Sequence, residues 1–159
     1  MKLTLADAEE IVEAALKSGQ RIGRAFSVAV VDSGGFVVLI KRSDGARPLT
    51  PSIATAKAYT AAVMQRPGKL LKPWAESNPG FFAQLSTMGT HPIIASDGGV
   101  TIKRDGEILG GLGISGGTSE EDQQICDEVL EALGYELQFQ AWGGAQQQTA
   151  AEEEERRDG

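Results

Sequence analysis

Ala8, Ile11, Val12, Ala15 and Leu16 recur at the three- and four-residue spacing of a single helix face. Thr4 stands where an N-cap is wanted, Asp7 three residues on completes a capping box, and Gly19 offers a C-terminal stop. The period then shortens. Ser27–Asp32 and Phe36–Lys41 read as two strands, and Ser33-Gly34-Gly35 between them has the length and chemistry of a tight hairpin connection. A polar loop follows from Arg42, after which Thr50 as cap and Pro51 in the first turn open an alanine-rich helix over Ser52–Met64, closed by Arg66-Pro67-Gly68. Ala54, Ala58, Ala61 and Ala62 mark the face on which that helix packs closely, unless they serve only helix propensity.

Between Pro67 and Pro92 the apolar groups Leu70-Leu71, Trp74 and Phe81-Phe82 are broken by Pro73, Pro79, Gly80 and Gly89, which predicts short helical turns. Strand-like residues return at Pro92–Ala95, Gly99–Arg104 and Glu107–Ser115, the last two joined by the hairpin turn Asp105-Gly106. Thr118 and Glu121 form a second capping box, and Ile125, Val129, Leu130 and Leu133 make a helical stripe that stops at Gly134. A last short strand is expected over Tyr135–Gln140. Neighbouring strands joined by tight turns make the fold class α+β, with a central antiparallel sheet of about five strands flanked by helices in a profilin-like layering. Residues 1–141 are expected to form one domain, and residues 142–159 a polar, acidic tail with no apolar anchor.

Composition narrows the function classes. The chain has 159 residues, 41% hydrophobic and 23% charged, and a formal net charge of −7. That length is enough for a real core, the apolar runs are too short to span a membrane, and the charge argues against a duplex nucleic-acid binder. Met1 leads straight into an amphipathic segment, so no secretory signal is read and the expected address is cytoplasmic. One cysteine, Cys126, and one histidine, His91, leave no two-histidine or cysteine-rich metal motif. Cys126 reads as a buried, inert thiol.

Five features remain as candidate chemistry. Gly111-Leu112-Gly113-Ile114-Ser115-Gly116 satisfies G-x-G-x-x-G ahead of a capped helix, with Glu136 about twenty residues beyond. The fingerprint requires a parallel βαβ unit, whereas these glycines lie on the second arm of a hairpin, and a strand kept bare for close approach is the plainer alternative. Gly116 and Gly117 resemble an anion seat at a helix entrance, which Thr118 can also fill by itself. Lys57 interrupts the alanine face of the second helix and must find a counter-charge, shift its pKa or snorkel outward. Arg42, Asp44 and Arg47 crowd the preceding loop, where they neutralise one another or clamp an anion. His91, between Thr90 and Pro92, is an axial haem ligand, a general acid/base or neither.

Leu3-Thr4-Leu5-Ala6-Asp7-Ala8, Ala29-Val30-Val31-Asp32-Ser33-Gly34-Gly35 and Arg42-Ser43-Asp44-Gly45-Ala46 resemble the GlcG/HbpS family. The likeness continues through Ser52-Ile53-Ala54-Thr55-Ala56-Lys57-Ala58-Tyr59-Thr60-Ala61, Gly98-Gly99-Val100 and Gly110–Gly117 to Asp122, in order. The resemblance implies a helix-flanked antiparallel sheet, assembly into dimers or larger homo-oligomers, and a pocket near the lysine helix and the glycine-rich strand. Some members of that family bind haem, with histidine ligands in or near the first helix, where this chain has Lys17 and Ser18. Only His91 is left for that task.

Two readings follow. The first is a ligand-binding protein, accessory to a catabolic or cofactor pathway, that accepts haem through His91 or a small carboxylate in a cavity edged by Lys57, Arg42 and Gly116-Gly117. The second is an isomerase, lyase or hydrolase acting on a carboxylate-bearing metabolite. There Lys57 would be the acid/base, Arg42 the clamp, and the glycine-strand amides the oxyanion donors. The lack of a nucleophile–base pair or metal constellation favours binding.

Overall fold

The structure is a computed structural model that describes residues 2–137 and 139. Its order is α1 (Leu5–Arg21), β1 (Ser27–Asp32), β2 (Val37–Arg42), α2 (Thr50–Met64), α3 (Gly68–Ser77), α4 (Pro79–Leu85), β3 (Gly99–Arg104), β4 (Glu107–Ser115) and α5 (Ser119–Ala132). The strands form one sheet in the order β2-β1-β4-β3, with every neighbouring pair antiparallel. The described residues thus hold four strands instead of about five. Pro92–Ala95 and Tyr135–Leu137 are not strands, although the Glu136 amide donates to the Lys103 carbonyl of β3 at 2.8 Å, and Gln138 and Gln140 lie outside the described residues.

Alternation along the strands gives the sheet two unlike faces. Val28, Val30, Val100, Ile102, Leu112 and Ile114 point to one side, where Ala8, Ile11, Val12 and Ala15 of α1 and Ile125, Val129 and Leu130 of α5 close the main core. Each fully buried Val, Leu or Ile contributes about 1.5–3 kcal/mol, so this layer dominates the stability. The other side is nearly bare: Ala29 pairs with Gly113 and Val31 with Gly111, while Gly99 pairs with Gly113 from β3. On that smooth floor lies α2, with Ala54, Ala58 and Ala62 against Ala29 and Val31. A Cβ on Gly111 would overlap the Ala58 carbonyl, and one on Gly113 the Ala54 carbonyl.

Local signals account for most boundaries. Both capping boxes form, Thr4 with Asp7 and Thr118 with Glu121. Asp105 and Gly106 adopt φ of 51° and 76°, the paired positive values of a type I′ turn. In the first hairpin Asp32 Oδ1 accepts from the amides of Gly34 and Phe36. Two expectations are corrected. α1 runs through Gly19, which is glycine because Phe26 lies against it, and the chain reverses at Gly23 with φ of 70°. α2 starts at Thr50 and lacks a side-chain cap, since the Thr50 hydroxyl donates to the Arg47 carbonyl and also bonds Ser27 Oγ.

Candidate functional site

His91 lies in the irregular segment between α4 and β3, partly buried beside the first half of α2. It lines an open groove of about 530 Å³ whose walls are Val37 and Ile40 of β2, Leu49, Pro51, Ile53 and Ala56 around the start of α2, and Pro92 and Ile94. That volume is within the roughly 300–1,000 Å³ of small-molecule sites. Ser52 and Thr55 are the other polar residues of the lining, and the Thr55 hydroxyl already donates to the Pro51 carbonyl at 2.7 Å. Among the described residues no Lys or Arg lines the groove. Tyr59 of α2 packs its ring edge-on to the imidazole, with centroids 5.1 Å apart and planes at 65°. Among the described residues, no hydrogen bond is made by the imidazole nitrogens.

Lys57 is elsewhere. Its side chain is buried under α2, and Nζ donates to the Ile114 carbonyl at 3.0 Å and to Asp122 Oδ2 at 3.2 Å. The other oxygen, Asp122 Oδ1, accepts from the Gly117 amide at 3.0 Å. Burial raises the Asp122 carboxyl above its ordinary pKa, against the opposing pull of Lys57 and the Gly117 amide. The bare strand serves this pair too, because a Cβ on Gly98 would press on Lys57 Nζ and one on Gly99 on the Lys57 carbonyl.

The turn of Gly116 and Gly117 is closed from within. The Gly117 amide is taken by Asp122, the Thr118 amide by Glu121 Oε1, and the Glu121 amide by Thr118 Oγ1. Hydrogen bonding to Thr118 and Arg24 holds the Glu121 carboxyl below its usual pKa. Arg42 is exposed at the end of β2 and lines a separate polar cleft with Arg24, Ser43 and Asp44. The structure therefore does not gather Lys57, Arg42, His91 and Gly116-Gly117 around one cavity, and His91 alone of these faces the apolar groove. Asp122 and Tyr59 were missed by sequence reasoning. Asp122 had a signal, since with Ile125, Cys126 and Val129 it keeps the spacing of the buried stripe on α5.

Cys126 is buried with its thiol toward the Gly98 carbonyl at 3.6 Å, and burial pushes its pKa well up. No group of three or more His, Cys, Asp or Glu suited to a metal ion occurs among the described residues, nor any helix long and apolar enough to cross a membrane. The glycine-rich run is not a dinucleotide fingerprint, because β4 is antiparallel to both its neighbours and its glycines are occupied by α2.

A family model described as haem degrading protein HbpS-like matches residues 3–131. The protein GlcG of Escherichia coli K12 is 32% identical over 109 residues, covering 68% of this chain and 77% of GlcG. The corrinoid adenosyltransferase PduO of Salmonella typhimurium is 30% identical over 134 residues, 82% of this chain but 39% of PduO, so the likeness is to part of that enzyme. A crystal structure of a PduOC–haem complex superposes with a TM-score of 0.78 at 26% identity, over 87% of this chain and 100% of the other.

Proposed function

Since the chain belongs to the HbpS-like family, we propose that it is a ligand-binding protein that holds haem, or a flat tetrapyrrole like it, against His91. The observation that carries this reading is an imidazole with no hydrogen-bond partner among the described residues, opening into an apolar groove of about 530 Å³. Haem asks for apolar walls and a nitrogen donor, and the groove supplies both. Val37, Ile40, Pro51, Ile53 and Ile94 would cover the ring, and His91 would hold the iron. Bound there, the iron would supply redox and ligand-exchange chemistry. The superposition with a haem complex supports the same choice.

A small carboxylate is the weaker ligand, because no cation lines the groove. An enzymatic role for Lys57 as acid/base, with Arg42 as clamp, finds no support in their placement. The ammonium is committed to Asp122, and Arg42 lines a different cleft.

The rest of the proposal concerns setting. The chain would act as a cytoplasmic accessory protein of a catabolic or cofactor pathway; residues 142–159, expected as an acidic tail, lie outside the described residues. It would work as a homo-oligomer. Among the described residues β2 is an open edge of the sheet, and its unpaired backbone would be the pairing surface for a second copy.

The test is a hemin titration of the untagged chain, because a histidine tag would itself bind hemin. A saturable Soret shift near one hemin per chain, lost in His91→Ala, is the expected result. A folded chain with no shift, or a His91→Ala variant with an unaltered spectrum, overturns the assignment.

A further inference from the structure

The segment that carries His91 has neither helix nor strand, so its geometry comes from side chains that reach it from α2 and α4. The Ile93 amide donates to Ser86 Oγ at 2.9 Å, and the Ile94 amide donates to Thr60 Oγ1 at 2.9 Å. Thr60 itself donates to the Ala56 carbonyl at 2.7 Å, which fixes its hydroxyl as the acceptor for Ile94. Next to Thr60, Tyr59 is buried, with its ring edge-on to the imidazole. The phenol hydroxyl lies directly against Gly89, two residues before the histidine, where an added Cβ would overlap it.

We infer that Tyr59 is a positioning residue for His91, a rigid post on α2 against which Gly89 folds the chain and the imidazole is held facing the groove. The inference rests on the ligand-binding reading for its purpose, but its geometry stands without any ligand. Gly89 is needed because of Tyr59: with the hydroxyl removed, the nearest atom to a Cβ at position 89 would be the ring Cζ at 3.1 Å, a tight contact that a shift of a few tenths of an ångström relieves.

That dependence defines the test, and having one histidine makes it simple to read. Long-range proton–nitrogen spectra of the full-length untagged chain report a single imidazole, whose ring protons are displaced by the neighbouring phenol. Gly89→Ala is expected to return those signals towards the values of an unstructured peptide and to weaken hemin binding about 10–100-fold, the usual cost of disturbing a ligand's outer support. Tyr59→Phe keeps the ring and should change little. In Tyr59→Phe/Gly89→Ala the signals should recover, with hemin affinity within about threefold of Tyr59→Phe alone.

Gly89→Ala with unmoved imidazole signals, or a double variant as displaced as Gly89→Ala, overturns the inference. Loss of fold in Gly89→Ala with no rescue by Tyr59→Phe also counts against it. If the spectra behave as expected while the wild-type chain takes up no hemin, the positioning role stands and the haem assignment falls.

Discussion

Lys57 and Asp122 leave water together, and each ion carries a desolvation penalty of several kcal/mol that only its contacts offset. Those contacts are two acceptors for the ammonium and a separate donor for each carboxylate oxygen. Removing one partner is therefore costly. Lys57→Met should destabilise the chain by about 3–5 kcal/mol at neutral pH, as read from urea denaturation. The loss should shrink with acid. Asp122 has a folded pKa raised above its unfolded value, so its stabilising effect is greatest below the unfolded pKa and is lost as pH rises through the folded one. Without Lys57 that carboxyl rises further, and protonation then removes the orphaned charge, so the penalty at pH 5 should be smaller than at pH 7. A loss that is the same at both would contradict the pairing. Lys57 stood out in the sequence as a break in an alanine face, but its partner is 65 residues away, and a charge in phase with an apolar stripe does not say which charge it meets. His91 stood out in the sequence because it is alone; its ring contact with Tyr59 could not be read there, since it depends on a loop folding back onto α2.

Among the elements, α2 and β4 make the closest contact in the fold. Backbone meets backbone where Gly111 and Gly113 leave no side chain beneath Ala54 and Ala58. Gly113→Ala should lower the denaturation midpoint by an amount equivalent to about 1–3 kcal/mol, whereas Gly106→Ala, in an open turn, should act only through its positive φ. A tolerant position 113 would mean that helix and sheet are less tightly seated than described. Both hairpins were readable at nearly their observed limits, since turn residues such as Asp105-Gly106 specify register by local geometry. The glycine run was ambiguous for the opposite reason. A phosphate-binding turn and a helix-packing floor both ask for missing side chains, and only the antiparallel pairing separates them.

For the whole molecule, the two sheet faces divide the labour: large side chains on the α1 and α5 side carry the core, and small ones on the α2 side let that helix lie close on the sheet. The sheet leaves β2 open, and Ile40 there is 39% exposed. If a second copy pairs along that edge, Ile40→Lys should lower the native mass measured by sedimentation while costing the single chain little. Equal masses for the variant and the wild type would remove β2 as the pairing edge. Layering and class could be read from the chain, while the separation of Arg42, Lys57 and His91 could not, because spacing along a chain does not show which side of a helix meets a cavity. The bare floor under α2 also has a mechanical consequence. Layers separated by long side chains yield through small rotamer changes, but a helix resting on glycine has nothing compressible beneath it. Pressure at its groove end, from Pro51 to Ala56, meets no side chain beneath Ala54 that could yield, so the sheet must share it.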